Sequence, residues 1–220
     1  MDKKRCLLLP LLLALAASLG YAVLSLPDHA NGLQKMVSVK MEVSGVSNPV
    51  TAVLLNFRGY DTLLEMAVLL LALLGIWSLG GPPPPASSAP DPVLDILARL
   101  LAPVLILVAA YLLWVGGHAP GGAFQAGAVL GAAGVLLLLA GWRLRPGLAR
   151  LPLRLALIAG PAAFVAIAAL MVFLGGRLLE YPLAQASILI LVLETVATVS
   201  IGVTLAALFL GIPPEQKEKQ

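Results

Sequence analysis

Two apolar runs, Leu100 to Val115 and Ala126 to Ala140, are separated by Gly116-Gly117-His118-Ala119-Pro120-Gly121-Gly122-Ala123-Phe124-Gln125. Each run is close to the length that crosses the roughly 30 Å hydrocarbon core of a bilayer. The break between them decides what the chain can become. Pro120 has no backbone N–H to donate, and the four glycines around it accept φ angles that other residues resist, so the chain turns and re-enters the membrane. Past the turn, Ala123, Gly127 and Gly131 recur every fourth residue, with Gly134 on nearly the same face. Such a stripe of small residues, headed here by Gly121 and Gly122, lets another helix or subunit approach closely.

Composition agrees. Hydrophobic residues make up 60% of the 220, and charged residues 11%, against about 25% in a soluble domain. The runs do not alternate in polarity as barrel strands do, so the expected class is an all-α polytopic membrane protein with about six spans. The net charge of +3 does not indicate nucleic acid, because Lys and Arg sit in short loops and at the ends. Cys6 is the single cysteine, which excludes an internal disulfide and a cysteine-ligated cluster. It reads as a bystander, with lipidation the alternative.

In chain order, Lys3, Lys4 and Arg5 precede an apolar run from Leu7 to Leu26, either an uncleaved helix or a secretory signal. Val37, Val39, Met41 and Val43 alternate with polar residues, which predicts an extended segment. Asn48-Pro49 offers a cap and a first-turn proline for a short helix, Val50 to Phe57. The second span runs from about Asp61 to Leu79, with Thr62 and Glu65 at capping-box spacing. Residues 81–92 hold Pro82 to Pro85 and read as a linker between modules 1–80 and 93–220. Further spans follow from Leu94 to Val115, Gly122 to Trp142, Pro152 to Leu174 (with Gly160-Pro161 favouring a kink) and Pro182 to Gly211. With both termini in the cytoplasm, ten of the 14 Lys and Arg fall inside, leaving Lys35, Lys40, Arg58 and Arg177 outside.

An ionisable group within a span is costly and marks function by default. Glu194 lies about twelve residues into the last span, near mid-membrane at about 1.5 Å per residue. With Thr195, Thr198, Ser200 and Thr204 it offers a place for a proton or hydrated cation; the competing reading is a protonated Glu bonded to a neighbouring helix. Asp61 and Glu65, one turn apart behind Arg58, read either as helix-start chemistry or as a cation-attracting mouth. His118 is a loop hydrogen-bonder or a proton carrier, and Gln125 bonds across to another helix. Arg177, Glu180 and Tyr181 read as an outer-surface cluster. No nucleotide loop, activated nucleophile or HExxH pattern appears, so no enzyme activity, cofactor or metal is expected.

His118-Ala119-Pro120-Gly121-Gly122-Ala123-Phe124-Gln125-Ala126-Gly127 resembles the glycine-rich signature of the MnhB/MrpB subunit of Mrp-type sodium/proton antiporters, over roughly Pro92 to Gly211. Ala123 and Ala126 stand at its small-residue positions, and the spacer after His118 is shorter. Asn48 through Thr62 to Glu65 is similar to the end of the large MrpA subunit, found separately in membrane-bound hydrogenases, with Asn56 where that family usually has Asp. The resemblance implies a fusion of the two modules, working with other antiporter subunits in a bacterial or archaeal inner membrane to exchange sodium for protons. It also implies that Asp61, Glu65 and Glu194 serve the ion path. The alternatives are the same module in a redox-driven complex and an independent small transporter or assembly protein. If the glycine stripe meets a partner subunit, Gly127→Leu releases this chain from its assembly on purification.

Overall fold

The computed structural model describes residues 3–26, 32–79, 92–142, 151–176 and 178–211. It falls into two compact units, Met1–Met36 and Val37–Gln220. The first holds helix α1 (Lys3–Leu24), with Pro10 in its first half. Ser18 Oγ donates to the Leu15 carbonyl at 2.8 Å, so this hydroxyl is satisfied inside its own run.

Helix α2 (Gln34–Lys40) and a 3₁₀ turn (Met41–Val43) replace the extended segment expected at Val37 to Val43. The alternation there has no buried face to serve, since Val39 is 79% exposed. A lone strand would lack pairing partners, whereas a helix satisfies its backbone internally. Among the described residues there is no strand.

Asn48 caps α3 (Pro49–Thr51) as its position suggests: its Oδ1 accepts from the Val50 N–H at 3.1 Å, and Pro49 takes the first position. The chain then widens into a π-helix, Ala52–Phe57, rather than continuing as α-helix. Arg58 caps α4 (Gly59–Ser78) without a side-chain bond. The expected capping box is therefore not formed. Thr62 instead turns its Oγ1 back to the Leu54 carbonyl at 2.7 Å, which ties the π-helix to α4.

Helices α5 (Pro92–Val115), α6 (Ala123–Leu139), α7 (Leu151–Phe173) and α8 (Ala186–Leu210) complete the chain. Four described helices, α4, α5, α7 and α8, are long and apolar enough to cross a bilayer; Pro10–Leu24 and α6 are shorter apolar helices. The protein is an all-helical, multi-pass membrane protein. The proline-rich segment lies outside the described residues apart from Pro92, the first residue of α5, as do Arg143, Arg145, Arg150 and Arg177.

Helix α8 is the hub. Half of its apolar window is buried, against 17–28% in the other three spans, and it packs on α4, α5, α6 and α7. Its small and hydroxyl-bearing residues make this possible. A methyl group at Gly127 would lie 2.8 Å from Ile201 Cβ, and one at Gly131 would lie 3.1 Å from the Gly202 carbonyl. Gly134 faces Ala206 in the same seam. The stripe's close neighbour is thus α8 of the same chain, so Gly127→Leu would force apart two helices within the subunit before it affected any partner.

Pro161 lies inside α7, which continues through it as one helix. Its missing N–H leaves the Leu157 carbonyl without the donor one turn on. Ser200 of α8 supplies that donor: its Oγ reaches the Leu157 oxygen at 2.8 Å. Gly160 beside it leaves room, since a methyl there would lie 2.9 Å from Ser200 Cβ and 3.0 Å from Met66 Sδ. In a bilayer no water would fill the gap. Ser200→Ala is therefore expected to destabilise the protein by about 1–2 kcal/mol. Pro161→Ala, which restores the N–H, should remove most of that cost in the double variant. Unfolding in detergent measures the cycle, and additive costs would mean the two residues are not coupled.

Candidate functional site

The glycine turn is built by backbone bonds. The His118 and Ala119 N–H groups donate to the Val115 carbonyl at 2.9 and 2.8 Å, and the Gly122 N–H donates to the Leu112 carbonyl at 2.9 Å. The backbone of Gly116 lies against that of Gly122, because a methyl at Gly116 would come within 2.6 Å of Gly122 N and Cα. Gly122 itself takes φ 104° and ψ −172° and caps α6 with no side chain of its own. That region of backbone space is essentially reserved for glycine.

Glu194 fills the place a capping side chain would take. It is 3% exposed, and its carboxylate accepts a hydrogen bond from the Ala123 N–H at the start of α6. Its Oε1 lies 2.8 Å from where a methyl on Gly122 would sit. A helix start carries unpaired N–H groups and partial positive charge, so it suits a carboxylate. The buried acid of α8 thus caps α6 across the helix interface.

The hydroxyls grouped with Glu194 in the sequence do not serve its carboxylate. Thr198 Oγ1 donates to the Glu194 backbone carbonyl at 2.7 Å, Thr195 to Leu191 and Thr204 to Ser200, each four residues back. Ser200 is taken by Leu157. Threonine hydroxyls in helices commonly make this local bond.

Beside the seat, Gln125 Oε1 lies 3.9 Å from the same point at Gly122. Gln125 also lines an open groove of about 850 Å³ between α4 and α6, floored by Ile201 and Leu205 of α8. Asp61, Leu64, Glu65, Val68 and Leu69 form the α4 wall, and Phe124, Gln125 and Ala128 the α6 wall. The lining is apolar except for Asp61, Glu65 and Gln125. Asp61 pairs with Arg58 at 2.8 Å, with side chains 40% and 60% exposed, a pair worth little to stability. The structure therefore brings Glu194, Gln125, Glu65, Asp61 and Arg58 to one region. His118 is exposed on the turn.

Two groups escaped the sequence reading. Asn48 gives both amide hydrogens to the turn, reaching the Gly116 and Ala119 carbonyls at 2.9 and 2.8 Å. The proline and asparagine signal a cap, but nothing local points to a partner some 70 residues on. Tyr181, taken for surface, is 6% exposed, and burial pushes its phenol up to about 12. It belongs to the core cluster with Phe164, Leu179 and Ile190.

A profile described as a domain related to the MnhB subunit of Na+/H+ antiporters matches residues 93–211. The chain belongs to this MnhB-related family. A second profile, that of the MbhE component of MBH, matches residues 3–90, so the chain joins an MnhB-like to a hydrogenase-like segment. The compact unit Val37–Gln220 crosses the boundary between them. Two solved structures share the fold. One is a chain of the membrane-bound sulfane sulfur reductase, an archaeal respiratory membrane complex: 24% identity, TM-score 0.69, covering 96% of this chain and 98% of that one. The other is a chain of the Mrp complex from Dietzia sp. DQ12-45-1b: 22% identity, TM-score 0.67, covering 100% of this chain and 27% of that one. A search of curated proteins finds no match.

Gly122→Ala is expected to destabilise the protein by about 1–3 kcal/mol, through strained φ and the methyl set against Glu194. Thermal unfolding of the purified protein tests it. A variant as stable as the wild type would mean Glu194 is not seated on α6.

Proposed function

We propose that this protein is a membrane subunit of a multisubunit sodium/proton antiporter, assembled with other membrane subunits, and that its polar region is part of the ion path. The observation that carries this is the place of Gln125, flanking the Gly122 seat of Glu194 on one side and the acid-bearing groove on the other. Asp61 and Glu65 attract the cation at the groove, Gln125 offers an amide between, and Glu194 takes and releases the proton. Membership of the MnhB-related family supports the antiporter reading. With both termini cytoplasmic, by the distribution of Lys and Arg, the groove's acidic end faces outward.

A second reading has its own support. The sulfane sulfur reductase chain and this one cover each other almost end to end. In that reading the same ion path is driven by a redox complex. Identification of the co-purifying subunits separates the two: iron–sulfur proteins in the assembly place it with the redox-driven class.

Glu194→Gln removes one titratable group with little change of shape. In everted vesicles carrying the whole assembly it should lower cation-dependent proton flux at least about a hundredfold, the scale of losing one proton-transfer group. Gln125→Leu should lower it less. Unchanged flux for Glu194→Gln across several pH values, with the complex intact, would reject the path.

A further inference from the structure

We infer that Asn48 is a positioning residue for Glu194, acting through the glycine turn; its bearing on transport rests on the ion-path reading above. Asn48 is 5% exposed, and both of its amide hydrogens are used. Its Oδ1 accepts from the Val50 N–H, and its Nδ2 gives one hydrogen to the Gly116 carbonyl and one to that of Ala119. Thr51 Oγ1 donates to the same Gly116 oxygen, and the Ser47 and Asn48 N–H groups both donate to the Gly117 carbonyl at 3.0 Å. A segment matched by the MbhE profile therefore clasps a turn matched by the MnhB-related profile.

The clasp leads to the acid in two steps. Gly116, held from one side by Asn48 and Thr51, presses its backbone on Gly122. Gly122 sets the start of α6, where Ala123 donates to the Glu194 carboxylate. A shift of Gly116 therefore shifts the groups that hold the carboxylate. Losing Nδ2 removes one of the two side-chain donors to the Gly116 carbonyl, leaving Thr51, and takes the Asn48 donor from the part-buried Ala119 carbonyl, so the turn is held less firmly.

Asn48 is suited to this by its donor and acceptor count. Serine keeps an acceptor that caps α3 but has one short O–H donor where asparagine has two N–H donors, which weakens the clasp while keeping the cap. The test uses the assembled complex and the infrared carboxyl band that Glu194→Gln deletes, titrated against pH. Asn48→Ser should displace the midpoint of that band by about one pH unit, the scale set by one charge-assisted hydrogen bond. Thr51→Val, which removes one donor from the same Gly116 carbonyl in a side chain of similar shape, should displace it less; it serves alone if the Asn48 variant does not assemble. A midpoint left in place, with only thermal stability lowered, would overturn the inference. Failure of the ion-path reading is separate: normal flux in Glu194→Gln rejects that reading, while the band still decides the clasp.

Discussion

The start of α6 and the carboxylate of Glu194 satisfy each other, and the fold is arranged to let them meet. A helix that begins inside an apolar protein has N–H groups with no partner one turn back, and water is not there to take them. Here the cap residue is Gly122, which contributes backbone shape and no side chain. A carboxylate buried at 3% exposure has the opposite need, a donor and some positive potential. Bringing it in requires α8 to approach α6 closely, which the seam of Gly127, Gly131 and Gly202 permits. The stripe, the turn and the acid are parts of one arrangement.

The same rule explains the other cross-helix bonds. Pro161 frees a carbonyl in α7 and Ser200 of α8 fills it. At the π-helix Ala52–Phe57, Thr62 of α4 donates to the Leu54 carbonyl. The glycine turn frees the carbonyls of Gly116, Gly117 and Ala119, and the segment Ser47 to Thr51 fills them. Each of these irregular stretches is answered by a side chain or backbone from another segment. These breaks fix which helices are neighbours, because an unanswered carbonyl in lipid costs more than apolar contact alone repays.

This also accounts for what could be read in the sequence. Apolar length and the glycine break gave the helical class and the positions of α4 to α8 to within a few residues, because both depend on local chemistry. Glu194 stood out because a charge in an apolar run is conspicuous. Its seat did not, since Gly122 and Glu194 are joined only by folding. The hydroxyls after Glu194 misled because a threonine's nearest acceptor in a helix is the carbonyl four residues back, not a carboxylate on the same helix. The alternation at Val37 to Val43 misled for a different reason: period-two polarity means a strand only where a neighbouring strand exists. Asn48 was legible as a cap through its acceptor, while its two donors serve residues that no local pattern could indicate.

The boundary between the two family segments is therefore not a boundary in packing. The profiles divide the chain between residues 90 and 93, yet the unit Val37–Gln220 contains the clasp, the groove and the Glu194 seat. The clasp joins Ser47–Thr51 to the turn after α5, and the groove joins α4 to α6 and α8. The covalent link between the segments supplies proximity, while the hydrogen bonds and the groove supply geometry. The two segments thus meet through their surfaces, and that contact places the acids on α4 relative to the acid on α8.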